Sequence, residues 1–111
     1  MEFAQEQAGN VVIVRVAGRL DSSAAQPAEE NFARLVSDGA ANLAIDMSGL
    51  SYISSAGLRV LLVVAKKMQQ AKGKVVLFGL VPNVREVFAI SGFDRIFSIH
   101  ADANTAVTAV R

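Results

Sequence analysis

Two adjacent hydroxyls, Ser54 and Ser55, stand where a short apolar run gives way to a long amphipathic helix. They lie in the passage Asp46-Met-Ser-Gly-Leu-Ser-Tyr-Ile-Ser-Ser-Ala-Gly-Leu58. The first turn of a helix carries N–H groups with no partner inside the helix, together with the positive end of the macrodipole. A serine there can cap those donors. It can also carry a phosphoryl group, a charge of about −1.5 to −2, at a position that favours anions. Such a modification reverses the sign of the local surface while the backbone stays nearly fixed. On the residues alone, plain capping is the simpler reading, because serine is among the commonest caps. Ala56 and Gly57 follow, and their small size leaves the surface open to close approach by a partner.

Catalytic arrangements fit less well. The serines of residues 48–55 lack the glycine framing of a nucleophile elbow, and no G-x-x-x-x-G-K phosphate loop occurs. Acidic residues are scattered, and nothing compels a pair of them to share a site. His100 is the single histidine and reads as an exposed residue at a strand end rather than as part of a Ser-His-Asp set. With no cysteine, thiolate metal sites and disulfides are excluded. No enzymatic activity and no cofactor are expected.

The elements that must position the serines follow from composition and periodicity. The chain has 111 residues, 52% of them apolar, with six Phe and a net charge of +1, which suits one globular domain over residues 1–111. Basic and acidic residues are interspersed, so nucleic acid is not an expected partner. The longest apolar run, Val60 to Ala65, is too short to span a membrane. The opening MEFAQEQAGN has no cationic leader ahead of an apolar run, so a cytoplasmic protein is expected.

Phe3 to Ala8 reads as an edge strand, Gly9-Asn10 as a hairpin turn, and Val11 to Ala17 as a β-branched strand ended by Gly18. Asp21 can cap a first helix whose regular part begins near Pro27, with Ala25, Ala28, Phe32, Leu35 and Val36 on its apolar face. Leu43 to Asp46 is a short buried strand, and residues 47–53 form a loop. A second helix runs from about Ala56 to Ala71, with Leu58, Leu61, Leu62, Ala65 and Met68 inward. Arg59, Val63, Lys66, Lys67 and Gln70 lie on its other side, the lysines as a solvated face. Val75 to Phe78 is a strand. Pro82 to Ile90 is a helix ended by Gly92, with Val84, Val87 and Phe88 inward. Ile96 to Ile99 is a last strand, and Asp102 caps a final helix.

The order β-β-α-β-α-β-α-β-α gives an α/β fold with a mixed, mostly parallel sheet of four to five strands and about four helices. Right-handed crossovers that always add the next strand on the same side put the helices on one face, making a two-layer sandwich.

The run Tyr-Ile-Ser-Ser-Ala-Gly-Leu-Arg-Val-Leu-Leu after a strand ending in Asp resembles the STAS domain family of bacterial anti-sigma factor antagonists. Gly18-Arg19-Leu20-Asp21, Lys72-Gly73-Lys74, and Val81-Pro82-Asn83-Val84-Arg85-Glu86-Val87-Phe88 followed by Ser91-Gly92-Phe93 are similar to other segments of that family, so the likeness spans nearly the whole chain. The resemblance implies a STAS-like sandwich and a partner-switching cycle. In such a cycle the unphosphorylated antagonist binds an anti-sigma factor that is itself a GHKL-type serine kinase. Phosphorylation at the helix mouth ends the complex, and a PP2C-type phosphatase resets it. Aligning Gly57-Leu58 with the family's Asp-Ser-Ser/Thr-Gly-Leu motif puts the acceptor at Ser55, with Ser54 as the second candidate. Ser54 then stands where the motif has Asp, and Ala56 where it has a second hydroxyl residue. The first difference removes a negative charge beside the acceptor.

The partner surface that the resemblance implies comprises Tyr52, Ser54, Ser55, Ala56, Gly57, Arg59 and Val63, bordered by Arg19 and Asp21. Asp21 reads equally well as a plain helix cap. A different role for such domains is that of a constitutive scaffold subunit in a transporter or stress-signalling complex, with both serines as caps.

Overall fold

Strand β2, Val11–Leu20, begins VVIVRV, and this alternation of β-branched side chains supplies both faces of the sheet. Its odd and even positions enter different cores. Val12, Val14 and Val16 join the main cluster, while Val11 joins a second, smaller one. The computed structural model, which describes residues 1–111, places β2 between β1 (Glu2–Ala8) and β3 (Asn42–Ile53). β1 is antiparallel to β2 through the Gly9-Asn10 turn, with Ala8 opposite Val11. β4 (Lys74–Phe78) and β5 (Ser98–His100) extend the sheet in parallel, giving the order β1-β2-β3-β4-β5.

Each parallel step is spanned by a helix: α1 (Ser22–Ser37), α2 (Ser55–Gln70) and α3 (Pro82–Ser91). Because every step moves the same way across the sheet, right-handed crossovers put all three on one face. They bury Phe32, Leu61, Met68, Val84 and Phe88 against Leu43, Ile45, Met47 and Leu77. Phe3 of β1 closes this core with a T-shaped contact to Phe32, ring centroids 5.1 Å apart.

The expected order of elements, the mixed sheet and the four helices are all present. Several details differ from expectation, the last strand among them, which is Ser98–His100 rather than Ile96–Ile99. α4 (Ala103–Val110) follows the last strand, so no crossover holds it to the common face. It covers the other one, where Ala106 and Val110 pack on Val11, Ala44, Val76 and Phe78. The helices therefore do not all share one layer.

β3 does not give way to a loop at Asp46 but continues to Ile53. β4 pairs only as far as Asp46–Phe78, so the rest of β3 has β2 as its one neighbour and reads as polar. β2 itself runs past Gly18 to Leu20. Register shifts there, with Gly18 at φ +102°, let the two strands stay paired out to Leu20 and Ile53.

α1 starts at Ser22 rather than near Pro27. The Asp21 carboxylate accepts hydrogen bonds from the N–H groups of Ser23 and Ala24, and so fixes the start a full turn earlier. In α2 the inward stripe includes Val60 and Val64, while Leu62 and Ala65 are only half-buried.

The completely buried Phe32 is the centre of the α1 packing. Phe32→Ala is expected to cost about 3–5 kcal/mol. In urea titration this appears as a lower midpoint at an unchanged slope.

Candidate functional site

The parallel strands β2 and β3 end side by side, with Arg19 opposite Tyr52 and Leu20 opposite Ile53. Each passes straight into a helix: β2 through Asp21 into α1, β3 through Ser54 into α2. Two helix N-termini are thereby brought to the same carboxyl edge of the sheet, where open α/β folds hold their sites.

The two serines have different surroundings. Ser54 is locked. Its N–H donates to the Leu20 carbonyl at 3.0 Å, and its hydroxyl donates to the same oxygen at 3.3 Å. The Ser54 Oγ also accepts the Gly57 N–H at 3.2 Å, which makes it the N-cap of α2. Ser55 is the first residue of α2 and is exposed. Its hydroxyl takes no part in capping the helix. Gly57 lies beneath them. A Cβ at this position would stand 2.6 Å from the Leu20 carbonyl oxygen, 2.8 Å from Leu20 Cγ and 2.9 Å from Ile53 Cγ1. The helix can reach the sheet this closely only because residue 57 has no side chain.

Around this mouth, Arg19 stacks over Tyr52 with its guanidinium carbon 4.2 Å from the ring centroid, and its Nε lies 4.0 Å from Asp21 Oδ2. Tyr52 is 38% exposed, one of the few large apolar side chains at the surface. Below it, the Ser51 hydroxyl donates to the Gly18 carbonyl, and Asn83 Nδ2 donates to the Ser51 carbonyl at 2.7 Å, tying the start of α3 to β3. Ser55, Arg59 and Val63 follow one line along α2 at four-residue spacing, the first two exposed and Val63 half-buried. Ala56 is half-buried beside them. Eight of the nine residues expected at the partner surface thus lie within a turn of the α2 mouth, Gly57 as buried support rather than surface; Val63 stands two turns along α2 and is less open than its outward position implied.

Sequence reasoning missed the opposite wall. A groove of about 640 Å³ runs between α1 and α2, with Ser55, Ala56 and Arg59 on one side and Ser22, Gln26 and Glu29 on the other. The polar spacing of 22, 26 and 29 on α1 was the available signal. His100 ends β5 half-buried, away from the groove, with Nε2 3.0 Å from the Ser98 hydroxyl. No helix of the chain is long and apolar enough to cross a membrane.

Three carboxylates are held ionised by their surroundings, Asp21, Asp46 and Asp102, the last by the N–H and hydroxyl of Thr105. The Ser23 hydroxyl, followed by the Ala24 N–H, lowers the Asp21 carboxyl below its ordinary value. Asp46 is 6% exposed, and burial is the largest influence on it, pushing its carboxyl up. The hydroxyl and N–H of Ser48, both on Oδ1, and Arg15 at 3.2 Å from Oδ2 together outweigh that burial, so its carboxyl also sits low. Asp46 marks the point where β4 leaves β3, and its carboxylate takes up the Ser48 N–H beyond that point.

The STAS domain family model matches residues 2–106. BtrV of Bordetella bronchiseptica, described as a candidate anti-sigma factor antagonist, is 39% identical over 111 residues, covering 100% of this chain and 96% of BtrV. RsfB of Mycobacterium tuberculosis, an anti-sigma-F factor antagonist, is 29% identical over 104 residues, covering 91% of this chain and 82% of RsfB. Among solved structures, an anti-sigma factor antagonist from Mycobacterium paratuberculosis superposes with a TM-score of 0.90 at 27% identity, covering 99% of this chain and 93% of that one.

The unequal engagement of the serines has a direct consequence. Ser54→Ala removes a cap and is expected to cost about 1 kcal/mol, while Ser55→Ala changes stability by less than about 0.5 kcal/mol. Paired denaturant titrations distinguish the two. The fold also prefers Asp21 ionised, because its carboxyl lies below 3.8 in the folded chain. That stabilisation is complete above about pH 5 and fades as the pH falls through the ordinary value and then the lowered folded one. Asp21→Asn keeps a cap but has no charge to lose, so its thermal midpoint should fall less steeply than the parent's over the acid range.

Proposed function

The chain belongs to the STAS domain family, and from that membership we propose that it is an anti-sigma factor antagonist controlled by phosphorylation of Ser55. Its unphosphorylated form docks on an anti-sigma factor that is also a GHKL-type serine kinase, and the sigma factor is released. Transfer of a phosphoryl group to Ser55 ends the docking, and a PP2C-type phosphatase restores it. The observation that carries this reading is the division of labour at the α2 mouth. Ser54 does the capping, and Ser55 is exposed with its hydroxyl uncommitted.

The electrostatics suit such a cycle. A phosphate on the first residue of α2 meets the positive end of the helix and free N–H groups, so the fold accepts it. A partner surface matched to a neutral hydroxyl then faces about two negative charges in a contact that excludes water, where like or unmatched charges cost several kcal/mol. The stacked Arg19 and Tyr52 pair at the rim offers the residue types that most often dominate binding energy. The proposed contact surface comprises Tyr52, Ser55, Ala56, Arg59 and Val63, with Arg19 and Asp21 at its edge and Ser54 and Gly57 supporting it from below.

Incubation with the kinase/anti-sigma factor and ATP is expected to add the mass of one phosphoryl group, and Ser55→Ala to abolish the addition. Ser55→Asp should melt within a few degrees of the parent yet bind the kinase at least tenfold more weakly in calorimetric titration. Undiminished binding by Ser55→Asp would rule out the charge switch.

A further inference from the structure

Resting on the reading of Ser55 as the phosphate acceptor, we infer that Arg59 is the internal counter-ion of the phosphorylated form: a phosphoryl group on Ser55 pairs with the Arg59 guanidinium within the α1–α2 groove. The two residues are one helical turn apart on α2, and both line that groove. Side chains at i and i+4 are surface neighbours, with Cβ atoms about 5–6 Å apart, and an anion on the N-terminal side of a cation is the favourable order. Phosphate and guanidinium are also matched in shape, since the planar fork of N–H donors meets two phosphoryl oxygens at once.

Arg59 is uncommitted in the unmodified chain. The two ion pairs of the protein are Arg15 with Asp46 and Arg19 with Asp21, and Arg59 belongs to neither. The other charged groups of the groove are Glu29 and Glu30 on α1, both of which repel a phosphate. Arg59 is therefore the single cation lining a space whose far wall is acidic.

Pairing changes what the surface presents. Before modification, the mouth offers a hydroxyl and a free guanidinium. Afterwards it offers an anion whose nearest cation has turned inward to it. One covalent event thus adds a negative charge and withdraws a positive one.

The test uses the full chain with phosphoserine incorporated at position 55 during translation, so it does not depend on any kinase. The second ionisation of the phosphate, near pH 6 in an unconstrained phosphoserine, is followed by phosphorus NMR in the parent, R59Q and R59K. Exposed ion pairs of this kind correspond to about 0.2–0.7 of a pH unit. The phosphate of R59Q should titrate higher than the parent's by that amount, R59K should retain most of the parent's value, and the parent–R59Q difference should shrink in about 1 M salt. Equal titration of parent and R59Q, both folded by circular dichroism, overturns the pairing while leaving phosphorylation of Ser55 untouched. Failure of the kinase to modify Ser55 is read separately, from the mass measurement described above.

Discussion

The carbonyl oxygen of Leu20 is where the fold and the site are joined. It terminates β2 and accepts both the N–H and the hydroxyl of Ser54, so the end of one strand is fastened to the start of the helix that follows its neighbour. Gly57 presses against the same residue from above, at a distance no other side chain permits. Three contacts on one residue set the height and tilt at which α2 leaves the sheet. Everything presented to a partner from α2 is referred to that anchor.

The anchoring also explains why neighbouring serines differ so much. A helix has one N-cap, and the residue filling it must have extended backbone and a side chain turned back to the first turn. Ser54 meets both conditions, with φ −97° and ψ 174°. Ser55 is then the first helical residue, and its side chain is carried outward by the winding of the chain. Because the cap at position 54 is a serine, the mouth has a capping oxygen without a charge. The local field at Ser55 is therefore set by the backbone amides, Arg59 and the α1 carboxylates.

Much of this was legible in the residues. The alternation in β2, the apolar run of β4, the capping residues Asp21, Ser54 and Asp102 and the glycine stops made the order of elements readable, because each is a local signal with a local cause. The mouth of α2 was legible for the same reason. What escaped depends on neighbours distant in sequence. The second half of β3 looks like a loop because it has one partner strand instead of two, leaving Ser48, Gly49, Ser51 and Tyr52 exposed. Pro27 looked like a helix boundary, but α1 extends more than a turn ahead of it, with the first N–H groups taken up by the Asp21 carboxylate. The face chosen by α4 is set by which half of the sheet remains uncovered, and Glu29 gains its significance only when α1 and α2 are set side by side.

Because Gly57 and Leu20 fix the frame from beneath, the outward line of α2 is free of structural duty at its first two positions. Residues 55 and 59 are exposed, where replacements ordinarily alter stability by no more than about half a kcal/mol. What this outer line offers, at residue 59 above all, can therefore change without disturbing how the chain folds.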